Sequence, residues 1–129
     1  MPETVTPARV LTIREPHLSD ILAGRKTVEF RGYIGPAKPT LIALHTSVKD
    51  DPLRIGQIVA VAVIVRCPHG DVLLCDRCLV THARHTAQGV DLSRWPHGWH
   101  IDNVRPVKHV RWRGQVGLPR YTGPALEIA

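Results

Sequence analysis

Aromatic residues and long apolar segments are both scarce in this sequence. Phe, Trp and Tyr make up 5% of the 129 residues, so a hydrophobic core has to be built mainly from Val, Ile, Leu and Ala. The longest apolar run, residues 58–65, has eight residues, whereas a membrane-spanning helix needs about twenty. The first nine residues contain no basic segment followed by an apolar one. We therefore expect neither a membrane helix nor a secretory signal, and we predict a cytoplasmic location.

Cysteine is scarce as well. Because the sequence has three cysteines, an odd number, they cannot all be paired in disulfides within the chain.

A chain of this length, with 43% hydrophobic residues, is sufficient for one domain with a single core. We predict a flexible lead-in over residues 1–8, one domain over residues 9–122 and a tail over residues 123–129. A segment near residues 67–96, rich in Cys, His, Asp and Arg, is interpreted as an insertion in this domain.

The charge balance is strongly basic. Seventeen Lys and Arg against eleven Asp and Glu give a net charge of +6, and thirteen of the seventeen are Arg. Such a balance is typical of proteins whose partners carry phosphates, because neutralising phosphates releases counterions. An Arg-rich coding bias on an ordinary protein would give the same count, since net charge also serves solubility.

Hydrophobic periodicity predicts five or six short strands and few helices. A short helix is expected between Pro16 and Gly24, because proline suits a helix start and glycine a helix end. The most apolar run is expected to be the central strand. The strands fall at residues 10–13, 27–31, 41–44, 58–65, 99–104 and 107–112. We predict an α+β fold: a small, mixed and largely antiparallel β-barrel with a few short helices packed around it.

Charged side chains cluster where the predicted helix leads into the second strand. Lys26, Glu29 and Arg31 lie close together there, and strand alternation places Thr27, Glu29 and Arg31 on one face. An ammonium, a carboxylate and a guanidinium could together bind a polar planar ligand. Read from chemistry alone, the same residues could equally form a ladder of surface ion pairs.

Gly24, Lys26, Glu29 and Arg31 reproduce the spacing G-x-K-x-x-E-x-R. Together with the preceding helix, this motif resembles the signature of ASCH domains, a branch of the PUA-like superfamily. Segments 41–47, 56–65, 99–107 and 114–118 resemble the family's other strands, so the resemblance covers roughly residues 9–120. It implies a PUA-like barrel with a cleft lined by the motif.

The resemblance also implies a function in nucleic-acid binding, of RNA or in some cases of DNA and modified bases. The motif residues and their neighbours are then the binding candidates: Arg25, Lys26, Thr27, Glu29 and Arg31. A minority of ASCH proteins are ribonucleases or amidohydrolases acting on N4-acetylcytidine. The amidohydrolases pair the motif's Lys with a Thr where this sequence has Glu29. A hydrolase built on these residues would instead use Lys26 as the base and Glu29 as its partner.

The insertion contains a possible metal site. Cys75 and Cys78 have the C-x-x-C spacing, and Cys67 and His82 could complete four tetrahedral ligands for a structural zinc. Either His85 or His69 could take the place of His82. Two other interpretations stay open: free thiols, with Cys67 as a small buried hydrophobe, and a redox-active C-x-x-C pair.

Further cleft candidates come from strand ends and from the tryptophans. His45 and Ser47 follow a buried strand, and Trp99 is predicted to line the cleft while Trp112 belongs to the core.

The sequence leaves three hypotheses for the function of the chain. The chain is a nucleic-acid-binding ASCH domain, a small hydrolase acting through Lys26, or a zinc-stabilised interaction module with no nucleic-acid role.

Overall fold

The computed structural model describes residues 2–129, which form an α+β fold around one curled five-stranded sheet. Short 3-10 turns at Val48–Asp50 and Val72–Leu74 connect some of the longer elements. The strands and helices are β1 (Thr4–Val5), β2 (Arg9–Ile13), α1 (His17–Leu22), β3 (Val28–Arg31), β4 (Thr40–Thr46), β5 (Gln57–Arg66), α2 (Asp76–Ala87), β6 (His97–Arg111) and β7 (Leu126–Glu127).

The sheet has the strand order β2-β4-β5-β6-β3 and curls into a half-barrel. β2 and β4 are parallel, and the other neighbouring pairs are antiparallel. The α+β class and the barrel-like, largely antiparallel sheet are thus confirmed, while membership of the PUA-like superfamily stays a prediction. Because the sheet is open, β2 and β3 are its two edge strands.

β5 is the central strand, as its composition predicted. One cluster of buried residues includes Ala60, Ala62 and Ile64 with α1 and Trp99, and a second cluster includes Ile58 and Val61. A strand buried on both faces needs apolar residues at successive positions, which explains the uninterrupted run. The second cluster also contains Leu126, because β7 pairs with β1. Thr4–Val5 and Leu126–Glu127 thus form a pair of short strands within the predicted lead-in and tail.

β6 is one continuous strand of 15 residues, where the sequence predicted two. Asn103 has a positive φ of 52° at one irregularity of this strand. The pairing of β5 with β6 shifts register at two places, so the strand bends without ending. The break that the sequence predicted, at Arg105 and Pro106, lies inside this strand, because these residues pair with Val61 and Ala60 of β5.

α2 lies within the insertion, where the sequence showed no period. Its buried residues, Cys78, Thr81 and His85, are spaced by three and four positions and share one helix face. None is aliphatic, so hydrophobic periodicity could not detect this helix. Both helices are short, and no helix in residues 2–129 is long and apolar enough to cross a membrane.

Candidate functional site

A buried ion triad lies where α1 leads into the edge strand β3. Gly24, with φ of +78°, ends α1, and the backbone N–H groups of Arg25 and Lys26 both donate to the carbonyl of Asp20. This turn brings Lys26 Nζ to 2.8 Å from Glu29 Oε1, and Arg31 Nη2 lies 2.9 Å from Glu29 Oε2. The three residues that the motif singled out are therefore in direct contact.

Burial makes this triad different from a surface ion pair. Lys26 and Glu29 are 5% and 6% exposed. Burial works against ionisation of the Glu29 carboxyl, but the charges of Lys26 and Arg31 and the hydrogen bonds they donate outweigh it and hold its pKa below the ordinary value. Glu29 is therefore a carboxylate at neutral pH, with both oxygens occupied by cations. Two cations around one carboxylate leave the triad with a net positive charge.

Arg31 links the two edges of the sheet. Its Nη2 donates to the backbone carbonyl of Thr12 on β2 at 3.0 Å, as well as to Glu29. Within residues 2–129, Nε and Nη1 of Arg31 make no hydrogen bond, and neither is a buried unsatisfied atom. These two donors are therefore not committed to a protein partner.

Two histidines extend the triad. Lys26 Nζ lies 3.2 Å from His17 Nδ1, and because an ammonium only donates, Nδ1 accepts and the ring proton is on Nε2. The ring of His85 on α2 lies 5.1 Å from that of His17. Burial and the charge of Lys26 lower the pKa of His17 and bring that of His85 to about 4. Both rings are therefore neutral at pH 7.

These residues lie on the floor and walls of an open cleft of about 400 Å³, a volume typical of small-molecule sites. Half-exposed Trp95 and the buried Phe30 give the cleft an apolar side. Nδ1 of His85 is buried in residues 2–129 without a hydrogen-bond partner. The residues lining the cleft are Thr12, Arg14, Glu15, His17, Lys26, Glu29, Phe30, Arg31, His85, Val90, Leu92 and Trp95.

Two of the predicted binding residues lie outside this cleft. The exposed Arg25 side chain pairs with Asp20 through Nε at 2.9 Å. Thr27 is exposed on the far side of the turn, where its hydroxyl accepts a hydrogen bond from Arg77. Neither lines the cleft, because β3 begins only at Val28 and strand alternation does not extend back to them.

His45 and Ser47 line a second, smaller pocket of about 300 Å³, which shares Thr12 and Arg31 with the cleft. His45 is fully buried, with Nδ1 2.9 Å from the Thr12 hydroxyl and Nε2 2.6 Å from the carbonyl of Trp112. Ser47 accepts from the backbone N–H of Lys49 and caps a 3-10 turn. Both residues thus have structural roles at the edge of the site.

Trp99 does not line the cleft, contrary to expectation. It is fully buried in the main core, and its indole N–H donates to the carbonyl of Tyr33 at 3.1 Å. Since Trp99 is paired with Glu29 across the sheet, both side chains face the concave interior. Trp112, expected in the core, is partly buried and packs on the second core cluster against Tyr121. The tryptophan of the cleft is Trp95, which the sequence did not place there.

A second constellation brings the three cysteines together with a histidine. Ligand atoms of Cys67, Cys75, Cys78 and His100 lie within 4.8 Å of one another, all buried, and the cysteines form no disulfide. Nε2 of His100 is 3.4 Å from both Cys75 Sγ and Cys78 Sγ. His82, the predicted fourth ligand, lies elsewhere on α2, with its ring against Phe30.

The fold explains why His100 joins this cluster. β5 and β6 are antiparallel neighbours, and Val65 pairs with His100, so Cys67 just after β5 comes close to it. Gly98 on β6 permits the approach of α2, because a Cβ there would lie 2.8 Å from Cys78 Sγ. His100 is far from the cysteines in sequence, and only the pairing of the two predicted strands could have indicated it.

Comparisons with models of known protein families, with curated proteins and with solved structures find no match for this chain.

Proposed function

We propose that the cleft binds a nucleotide of RNA or a modified nucleotide. The observation that carries this proposal is the buried triad of Lys26, Glu29 and Arg31 in the lining of an open cleft. Two guanidinium donors of Arg31, Nε and Nη1, have no hydrogen-bond partner within residues 2–129. An excess of donors over acceptors suits a ligand rich in acceptors, such as a base carbonyl or a phosphate oxygen. The resemblance of the motif to ASCH domains supports the same class of ligand.

Each part of the cleft has a role in this proposal. Arg31 donates to the ligand from Nε and Nη1, while Glu29 holds the two cations in place. Trp95 offers a ring on which a base can stack, a contact that contributes about 1–3 kcal/mol per base. The basic surface, with thirteen Arg in the chain, would contact the phosphates on either side.

Binding is favoured over hydrolysis by the state of Lys26. A general base has to take up a proton, whereas the ammonium of Lys26 already donates to Glu29 at 2.8 Å. An ion pair stabilises the charged form of both partners. Glu29 is likewise occupied on both oxygens, so neither residue of the predicted hydrolase is free to activate water.

Binding of a labelled, short single-stranded RNA, followed by fluorescence anisotropy over a range of salt concentrations, tests this proposal. We expect salt-dependent binding that Arg31→Gln weakens by about 10- to 100-fold, the effect of losing hydrogen bonds from a charged group. The matched control is Arg113→Gln, which removes an exposed arginine outside the cleft. Equal losses in the two variants, or no binding at low salt, would refute the proposal. A cleaved or deacetylated product that disappears in Lys26→Ala would identify a hydrolase instead.

We also propose that the cluster of Cys67, Cys75, Cys78 and His100 binds a structural zinc ion. Three thiolates and one imidazole are a common closed ligand set for zinc, and a Zn–S bond of about 2.3 Å implies ligand–ligand distances near 3.8 Å. The observed separations are compatible with small adjustments around such an ion. Burial raises the pKa of the Cys78 thiol, so a cation is needed for all three sulfurs to ionise there.

Native mass spectrometry of protein purified without chelator tests the metal. We expect a mass increase that corresponds to one zinc ion, and loss of that ion in Cys78→Ser. A protein that carries no metal after purification and takes up none from added zinc would refute the zinc proposal and favour free thiols.

A further inference from the structure

Helix α2 connects the metal cluster to the cleft. Cys75 precedes its first residue, Cys78 lies in its first turn, and His85 is near its end. Cys78 and His85 are seven residues apart, about two helical turns, so both lie on the buried face. One end of that face contacts the cluster, and the other end forms part of the cleft wall.

Apart from the cluster, polar and aromatic contacts rather than aliphatic packing hold α2 in place. Its buried face carries no aliphatic side chain. Arg77 donates to the backbone carbonyls of Thr27 and Ile101, and Arg84 donates to the carbonyl of Arg25. Both arginines are about one-third exposed and also pair with Asp102 and Asp20, and partly exposed ion pairs contribute about 1 kcal/mol or less each. The rings of His82 and His85 lie against Phe30. A helix of this length ordinarily packs on the protein through buried aliphatic side chains. In α2 the cysteine cluster takes their place.

The same contacts connect α2 to the motif segment. Arg77 and Arg84 bind backbone carbonyls of the turn that presents Lys26. Val28 and Phe30 of β3 pack directly against Cys67, Cys75 and Cys78. Displacement of α2 would therefore remove His85 from the cleft wall and loosen the turn that positions Lys26.

We infer that a metal ion in the Cys67–Cys75–Cys78–His100 cluster fixes α2 as a wall of the cleft, so that ligand binding in the cleft depends on metal loading. This inference rests on the two proposals above, the nucleotide-binding cleft and the metal site. Through this helix the imidazole of His85 is held in the wall of the cleft. The metal thus controls binding without contacting the ligand.

The first test removes the metal from the full-length protein with a strong chelator and measures two properties. We expect RNA affinity to fall by about tenfold or more, which corresponds to a binding-competent fraction of about one-tenth or less. Amide hydrogen exchange should accelerate over residues 24–31 and 76–87 but not in β4 and β5. Stoichiometric zinc should restore both properties. Unchanged exchange over residues 24–31 in protein shown to be metal-free would overturn the inference.

Variants provide the second test. Cys78→Ser should reproduce the effects of the chelator on exchange and affinity, whereas the control Val80→Ser, at an exposed position of the same helix, should not. If Cys78→Ser does not fold, the removal and return of zinc in the wild type gives the same comparison. Equal behaviour of the two soluble variants would contradict the coupling.

The two readouts separate failure of the inference from failure of the proposed function. If the zinc-loaded protein binds no RNA, the nucleotide-binding proposal fails, and hydrogen exchange alone decides whether the metal orders the cleft. If the zinc-loaded and metal-free proteins bind RNA equally well, the proposed function stands and the coupling is wrong.

Discussion

Arg31 Nη2 on the edge strand β3 donates a hydrogen bond to the backbone carbonyl of Thr12 on the opposite edge strand, β2, at 3.0 Å. An open sheet leaves backbone groups unpaired at both edges. Here a side chain spans the gap, and the same nitrogen also bonds Glu29. The half-barrel is therefore closed at the cleft by the residue that we propose to contact the ligand, so a change at this position affects both stability and binding.

Arg31→Lys tests this double role because it retains the charge. An ammonium is a point charge that cannot reproduce the fork of a guanidinium. We expect the free energy of unfolding to fall by about 1–2 kcal/mol and RNA binding to weaken by about tenfold. Urea denaturation and fluorescence anisotropy measure the two effects, and Arg113→Lys, at an exposed position, is the control. Wild-type values for Arg31→Lys would show that charge alone is required.

The buried pair of Lys26 and Glu29 should be strongly coupled. Lys26→Met leaves Glu29 buried with only Arg31 as a partner, and breaking a buried pair destabilises by about 3–5 kcal/mol when no other partner remains. We therefore expect a loss somewhat below this range. In a double-mutant cycle with Glu29→Gln, the double variant should be less destabilised than the sum of the single variants. Additive effects on the urea midpoint would contradict the ion pair.

The motif residues were predictable because their contacts are local. Lys26, Glu29 and Arg31 lie within six positions, and the geometry of a helix end and a short strand determines how they meet. Their burial was not predictable, since it depends on α2 and on the turn around Trp95, which cover β3 from a distant part of the chain. The alternative of a surface ladder of ion pairs failed for this reason.

The metal cluster shows the complementary case. The C-x-x-C spacing indicated Cys75 and Cys78, because ligands one helical turn apart can meet at one ion. The histidine was assigned by nearness in sequence to His82, whereas the structure brings in His100 through the pairing of β5 and β6. The spacing of residues along the sequence does not show which distant strands pair. The fourth residue of the cluster could therefore be identified only from the fold.

This difference predicts opposite results for two histidine variants. His100→Ala should lose most of the bound zinc, since removing one direct ligand lowers the metal affinity strongly. His82→Ala should retain zinc at the wild-type level, because its ring lies against Phe30 and outside the cluster. Metal content after dialysis measures both. Loss of zinc in His82→Ala alone would refute the proposed ligand set.

His85 should make the protein sensitive to acid. Its pKa is about 4 in the folded chain, because burial and the charges of Lys26 and His17 disfavour the imidazolium, whereas the unfolded value is about 6.5. The folded state therefore binds fewer protons, and this contribution to stability is present above pH 6.5 and lost as the pH falls toward 4. The difference between the folded and unfolded pKa values of His85 corresponds to a loss of at most about 3 kcal/mol in the free energy of unfolding.

Urea denaturation between pH 7 and pH 4 measures this effect. The wild type should lose stability over this range, and His85→Gln should lose less. The variant still loses some stability, because His17 is retained and its pKa is also lowered. His109→Gln, at an exposed position on β6, is the matched control and should follow the wild type. Parallel pH profiles for the wild type and His85→Gln would show that His85 is not held neutral by the fold.

The two tryptophans near the site should separate stability from binding. Trp99 is fully buried, and truncating a buried aromatic to alanine destabilises by about 3–5 kcal/mol, so we expect Trp99→Ala to unfold at much lower urea. Trp95 is 40% exposed and lines the cleft, so Trp95→Ala should lower the urea midpoint much less than Trp99→Ala does. Loss of a stacking contact should nevertheless weaken its RNA binding by about 5- to 100-fold. If Trp95→Ala binds RNA as the wild type does, the base does not stack on this ring, and the ligand is held by the triad alone.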